Sequence, residues 1–82
     1  MKYKYKSLKT LKESLKKTYT YQGRGDVELS EKDGYAVFTF ICDCSFVEQI
    51  EQRYDKVKIE YIGNDDIRVT IYMPYSTFEN WR

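Results

Sequence analysis

The first pattern along the chain is a leucine repeat within a lysine-rich segment. Leu8, Leu11 and Leu15 recur at i, i+3 and i+7, which places them on one side of an α-helix. This spacing predicts a helix over about residues 7–17, with lysines covering its other sides. The preceding "KYKYK" at 2–6 alternates tyrosine and lysine, which is typical of a short strand. Tyr5 also continues the leucine stripe backwards, so a helix that starts earlier fits the same residues.

The next segment predicts a β-hairpin. Residues 18–30, "TYTYQGRGDVELS", read as extended, with Val27 and Leu29 facing inward and two glycines marking a bend or bulge. Asp33 and Gly34 follow as a pair that accepts the positive φ angles of a type I′ turn. The return strand, "YAVFTFIC" at 35–42, is apolar on both faces, which predicts a central position in the sheet.

A second helix is predicted over "SFVEQIEQRYDK", residues 45–56. Ser45 and Glu48 have the spacing of a capping box, in which each side chain bonds the backbone N–H of the other. A helical stripe follows, formed by Phe46, Val47, Ile50 and Tyr54.

A second hairpin is predicted downstream. "VKIEYI" (57–62) and "IRVTIYM" (67–73) each alternate apolar and polar residues, and "GNDD" joins them. Pro74 should end the last strand, because proline cannot donate to a sheet ladder. In the tail, Ser76 and Glu79 repeat the capping-box spacing, and Phe78 and Trp81 should pack against the domain.

Together these elements predict an α+β fold with the order (β)αββαββ. We expect one domain, residues 1–82, in which two helices cover one face of a four- or five-stranded antiparallel sheet. If residues 2–6 form a strand, the first six elements follow the ferredoxin-like order βαββαβ.

Composition indicates what forms the core and in which cellular compartment the protein is expected. Aromatic residues make up 17% of the chain and include nine tyrosines, so rings must form much of the core. No segment reaches the roughly 18 uninterrupted apolar residues of a membrane span, and no secretory signal follows the first lysines. Two cysteines, Cys42 and Cys44, are too few for a disulfide scaffold. These features predict a cytoplasmic protein that does not bind membranes.

The absence of histidine excludes several chemistries. Without it the commonest general base, the Ser–His and Cys–His pairs and most transition-metal sites are missing. Cys42 and Cys44 have neither the spacing nor the partners of a zinc site, and we interpret them as small buried residues. Asp65 and Asp66 fit a hairpin turn better than a calcium loop. We therefore expect no catalytic, cofactor-binding or metal-binding residues and a protein that is not an enzyme.

Charge is distributed unevenly along the chain. The first seventeen residues hold seven lysines and one glutamate, a formal charge of +6, so the rest carries −5 within a net charge of +1. A basic helix with nearby aromatics suits the phosphates and bases of a nucleic acid. The candidate binding residues are Lys9, Lys12, Lys16, Lys17, Tyr19 and Tyr21. Against this reading, the sequence pI is 7.7, whereas nucleic-acid-binding domains usually exceed about 9.

We favour a non-enzymatic protein-binding or inhibitory module, with nucleic-acid binding by the lysine-rich helix as the alternative. Size and charge separation also fit a protein of a phage or mobile element. The partner is a second protein or another copy of the chain, paired through its opposite charges. If the carboxylates gather on one side, they could also imitate nucleic acid. These are Asp26, Glu28, Glu31, Asp33, Glu48, Glu51, Asp55, Asp65 and Asp66.

Overall fold

A computed structural model of the chain describes residues 6–20 and 26–78. Its helices and strands confirm the α+β class, with two α-helices and a four-stranded antiparallel sheet. In chain order the elements are α1 (Leu8–Tyr19), β1 (Glu28–Lys32), β2 (Tyr35–Asp43), α2 (Val47–Arg53), β3 (Val57–Gly63) and β4 (Asp66–Pro74). Short 3₁₀ turns, Cys44–Phe46 and Tyr75–Thr77, precede α2 and follow β4.

The strand order is β1-β2-β4-β3, which differs from the ferredoxin-like expectation. β4 pairs antiparallel with both β2 and β3, so these two strands are parallel to each other with β4 inserted between them. In a ferredoxin-like sheet the first strand of the chain fills that position. Here a strand from the C-terminal hairpin fills it. The strand predicted over 2–6 falls on residues 2–5, outside the described residues, and on Lys6, which forms a bend.

Helix α1 begins at a serine cap and extends beyond its predicted end. The Ser7 side chain accepts a hydrogen bond from the Thr10 backbone N–H at 3.2 Å, which satisfies one of the free donors of the first turn. Leu11 and Leu15 are buried as predicted, and Tyr19 adds the next position of the same stripe. Because Thr18 and Tyr19 belong to this helix, the prediction that they are extended is wrong.

The start of α2 also differs in detail from the prediction. Ser45 lies inside the 3₁₀ turn and is not the cap of α2. Asp43 caps this turn instead, accepting a hydrogen bond from the Ser45 N–H at 2.9 Å. The predicted capping box of Ser45 and Glu48 therefore does not define the helix start. The apolar stripe is confirmed, since Ile50 and Tyr54 are buried.

Both hairpins form as predicted. Asp33 and Gly34 have φ angles of 52° and 84°, and Asn64 and Asp65 have 54° and 64°. Positive φ at both central residues is the signature of the type I′ turn, whose twist matches the flanking strands. Pro74 is the last residue of β4, as expected.

Both helices pack on one face of the sheet. The core joins α1 and α2 residues to the inward side chains of the central strands β2 and β4: Ala36, Phe38, Phe40, Cys42, Ile67, Val69, Ile71 and Met73. Phe78 is buried beside Phe38, with ring centroids 6.4 Å apart, so this part of the tail packs on the domain as predicted. Glu79 and Trp81 lie outside the described residues.

Candidate functional site

The strand alternation that builds the core leaves an opposite face of the sheet that no helix of the described residues covers. We call this surface the open face and define it by the outward residues of the four strands. These are Glu28, Ser30, Lys32, Tyr35, Val37, Thr39, Ile41, Asp43, Lys58, Glu60, Asp66, Arg68, Thr70, Tyr72 and Pro74. Their position follows from pairing register, because residues opposite each other on neighbouring strands share a face.

One end of the open face carries a pair of tyrosines. The rings of Tyr35 and Tyr72, on the two central strands, meet edge to face with centroids 6.4 Å apart. The Lys56 ammonium lies 4.7 Å from the Tyr35 centroid and 5.8 Å from that of Tyr72. Val37, paired with Tyr72 in the register, is only 7% exposed although neither α1 nor α2 packs on this face. The result is an aromatic cluster fixed by cation–π contacts.

The other end of the open face contains a shallow hollow of about 430 Å³. Its lining includes Asp26, Glu28, Thr39, Ile41 and Arg68. The Arg68 guanidinium donates to the Glu60 carboxylate at 3.0 Å, and both side chains are about half exposed. Ile41 remains 45% exposed at the centre of this region.

The open face combines apolar and aromatic groups with nearly balanced charge. Its basic residues are Lys32, Lys58 and Arg68, and its acidic residues are Glu28, Asp43, Glu60 and Asp66. A surface with tyrosines, exposed aliphatic groups and charges of both signs resembles the composition of protein–protein contact regions. It lacks the single-sign field that attracts a phosphate backbone.

The four predicted lysines of α1 do not form one patch. Lys9, Lys12 and Lys16 follow the helical spacing i, i+3 and i+7 along one flank, where Lys16 is half-buried and the other two are exposed. Lys17 lies on the side of α1 that faces away from the core, beside a hollow of about 350 Å³ that is also lined by Thr10, Glu13, Ser14 and Thr18.

Tyr19, predicted as a binding residue, lies in the core and is 3% exposed. Its ring packs edge-on against Phe46 at 5.1 Å, so it is not available for stacking on a base. Burial raises the pKa of its hydroxyl, against the smaller lowering effects of Arg53 and the nearby Gln49 and Tyr54 side chains. No described group meets the hydroxyl with hydrogen-bond geometry. Tyr21 lies outside the described residues.

The acidic residues are spread over several surfaces. Asp33 lies in the β1–β2 turn, whereas Asp65 lies in the β3–β4 turn at the opposite end of the nine-residue strand β2, roughly 25–30 Å away. Glu48 and Glu51 lie on α2, on the covered side of the sheet. Such a distribution argues against one acidic surface that imitates nucleic acid.

The two cysteines differ in environment. Cys42 is fully buried, and burial, with smaller contributions from the charges of Asp43 and Asp66, raises its pKa to about 11. Cys44 is partly buried, and its backbone N–H donates to the Asp65 carbonyl at 2.7 Å. Within residues 6–20 and 26–78, no group of three or more cysteine and acidic side chains could hold a metal ion.

Sequence reasoning did not identify the open face as a site. The signal was present in "YAVFTFIC", where Tyr35, Val37 and Ile41 occupy the outward positions of a strand that is apolar on both sides. Lys56 had no such signal, because its contact with the two rings depends on long-range strand pairing.

Comparison with known proteins identifies no relative. No protein-family model matches the chain, and neither a curated protein nor a solved structure matches it. Among the helices of the described residues, none is long and apolar enough to cross a membrane.

Proposed function

We propose that this protein is a non-enzymatic binding module, acting as an adaptor or inhibitor, that docks a partner protein on its open face. The observation that supports this proposal is the arrangement of Tyr35, Val37, Ile41 and Tyr72 on the sheet face opposite α1 and α2. Tyrosine is among the residues that most often anchor protein interfaces. Mixed charges around such a centre favour a partner surface that is apolar in the middle and has charges of both signs at its rim.

The experiment compares two matched substitutions at exposed aliphatic residues. Ile41, 45% exposed, lies on the open face, and Leu29, 37% exposed, lies on the helix-covered side of the sheet, at its edge. Each is replaced by lysine in a tagged chain used to capture proteins from cells in which it occurs naturally. A protein captured by the wild-type chain should be lost with Ile41→Lys and retained with Leu29→Lys. Equal capture by both variants would contradict binding through the open face.

Nucleic-acid binding through α1 is the second candidate. It is supported by Lys9, Lys12 and Lys16, which lie along one flank of the helix. Binding of this kind should weaken steeply with salt, because each phosphate contact releases counterions. A salt titration against single- and double-stranded nucleic acid tests it. The Lys12→Glu, Lys16→Glu double variant should abolish such binding, whereas Ile41→Lys should not. No binding at low salt would exclude this candidate.

A further inference from the structure

The two edges of the sheet differ in how they are protected. β1, at one edge, is five residues long and exposed throughout. β3, at the other edge, is seven residues long and rich in β-formers, and no strand of the described residues pairs with its outer side. A long free edge is a template for pairing with another strand.

The direction of the free backbone groups on β3 follows from one hydrogen bond. The Tyr72 N–H donates to the Lys56 carbonyl at 2.9 Å, so this opposed pair is a hydrogen-bonded pair of the antiparallel ladder. Hydrogen-bonded pairs alternate with non-bonded ones along such a ladder. Lys58 and Glu60 therefore direct their backbone groups towards β4. The N–H and C=O groups of Val57, Ile59 and Tyr61 point to the free edge.

We propose that the free edge of β3 pairs with β3 of a second copy of this chain, antiparallel and with the two-fold axis at Ile59. Ile59 of one copy then lies opposite Ile59 of the other. Val57 of each copy lies opposite Tyr61 of the other copy. The outward backbone groups of these three residues form six hydrogen bonds. The product is a continuous eight-stranded sheet, built through the isologous contact that a two-fold axis requires.

Charge selects this register over its neighbours. With the axis at Ile59, Lys58 of each copy lies opposite Glu60 of the other, which gives two ion pairs on the open-face side. An axis at Lys58 would oppose two lysines, and an axis at Glu60 would oppose two glutamates. The same register places Tyr61, which is 70% exposed in the single chain, against Val57 of the second copy on the helix side.

This pairing joins the outer edge of β3 and involves the open face only through Lys58 and Glu60 at its margin, so it does not rest on the proposed function. The test measures association of the full chain by sedimentation over a concentration series. In a dimer of the Lys58→Glu variant, two pairs of glutamates face each other across the interface. In a dimer of the Glu60→Lys variant, two pairs of lysines do so. Each should raise the dimer dissociation constant at least about tenfold, because each exchanges two attractive cross-strand pairs for repulsive ones. A 1:1 mixture of the two variants should associate again, since every opposed pair is then of opposite charge.

Lys32→Glu is the matched control, with the same charge change on the open face at the other edge strand. It should leave the dissociation constant within about twofold of wild type, as no opposed pair changes. Amide exchange gives a second measurement that needs no substitution. Protection at Val57, Ile59 and Tyr61 should rise with protein concentration, while Lys58 and Glu60 stay protected throughout. A wild-type chain that remains monomeric at millimolar concentration, a mixture that does not associate, or protection without this alternation would overturn the proposal.

Discussion

The ring of Tyr19, the last residue of α1, stacks on the ring of Phe40 in β2, with centroids 5.5 Å apart and planes inclined by 14°. This contact joins the C-terminal turn of the first helix to β2, one of the two central strands of the sheet. Phe46 packs on the same tyrosine, so three rings fill the region where β2 leads into α2. The stacking explains why Tyr19 belongs to the core rather than to a binding surface.

Two substitutions at Tyr19 should distinguish the contribution of its ring to stability from that of its hydroxyl. Tyr19→Ala removes the stacked ring and should cost about 3–5 kcal/mol in the free energy of unfolding. Tyr19→Phe keeps the ring and removes a buried hydroxyl that meets no group of the described residues with hydrogen-bond geometry, so stability should be unchanged or rise by about 1 kcal/mol. Urea denaturation measures both. A loss of more than about 1 kcal/mol in Tyr19→Phe would show that the hydroxyl makes a stabilising hydrogen bond.

The two thiols should react at very different rates. Cys42 is fully buried and its raised pKa keeps it protonated at neutral pH, whereas Cys44 is partly exposed. Because the thiolate is the reactive species, a thiol reagent should label Cys44 in the folded protein and Cys42 only on unfolding. Mass spectrometry of the labelled protein measures the two rates. The Cys44→Ser variant should resist labelling until denaturant is added, and rapid labelling of that variant would contradict the burial of Cys42.

Stability should fall at alkaline pH partly through Cys42. Its folded-state pKa of about 11 lies above the ordinary value of 9.0, so the folded state holds the proton more tightly than the unfolded state. The resulting stabilisation is complete below about pH 9 and is lost as pH rises through about 11. Urea midpoints at pH 8 and pH 10.5 should therefore decline more for wild type than for Cys42→Ala. Parallel declines would mean that the thiol does not contribute, since other groups titrate alike in both proteins.

The second residue of each two-residue turn offers a matched pair of substitutions. Gly34 has φ of 84°, and an added methyl group would meet no atom within 4 Å, so Gly34→Ala tests the backbone conformation alone. The substitution should lower the free energy of unfolding by about 1–2 kcal/mol. Asp65 has φ of 64°, a conformation that glycine adopts more easily than aspartate. Asp65→Gly should therefore raise the free energy of unfolding by about 0.5 kcal/mol. Thermal unfolding measures both, and a stabilising Gly34→Ala would contradict the type I′ geometry.

The local elements were predictable because their signals are short-range. The leucine stripe predicted α1, and Asp33-Gly34 predicted the first hairpin through the φ angles that these residues tolerate. Helix boundaries were less accurate: Tyr19 was assigned to an extended segment because the tyrosine–threonine alternation around it imitates a strand. The cap at Asp43 was missed because Ser45 and Glu48 have the spacing of a capping box regardless of where the turn begins.

By itself, the sequence determined the helices, the two hairpins and which residues of β3 and β4 face inward, since periodicity and turn chemistry act over a few neighbouring residues. Only the tertiary structure decided that β4 inserts between β2 and β3, because strand order depends on pairing between distant segments. That insertion brings Tyr35 and Tyr72 together on the open face and places β3 at the edge of the sheet that the described strands form. Both candidate interaction surfaces therefore arise from long-range pairing, which no local pattern of residues specifies.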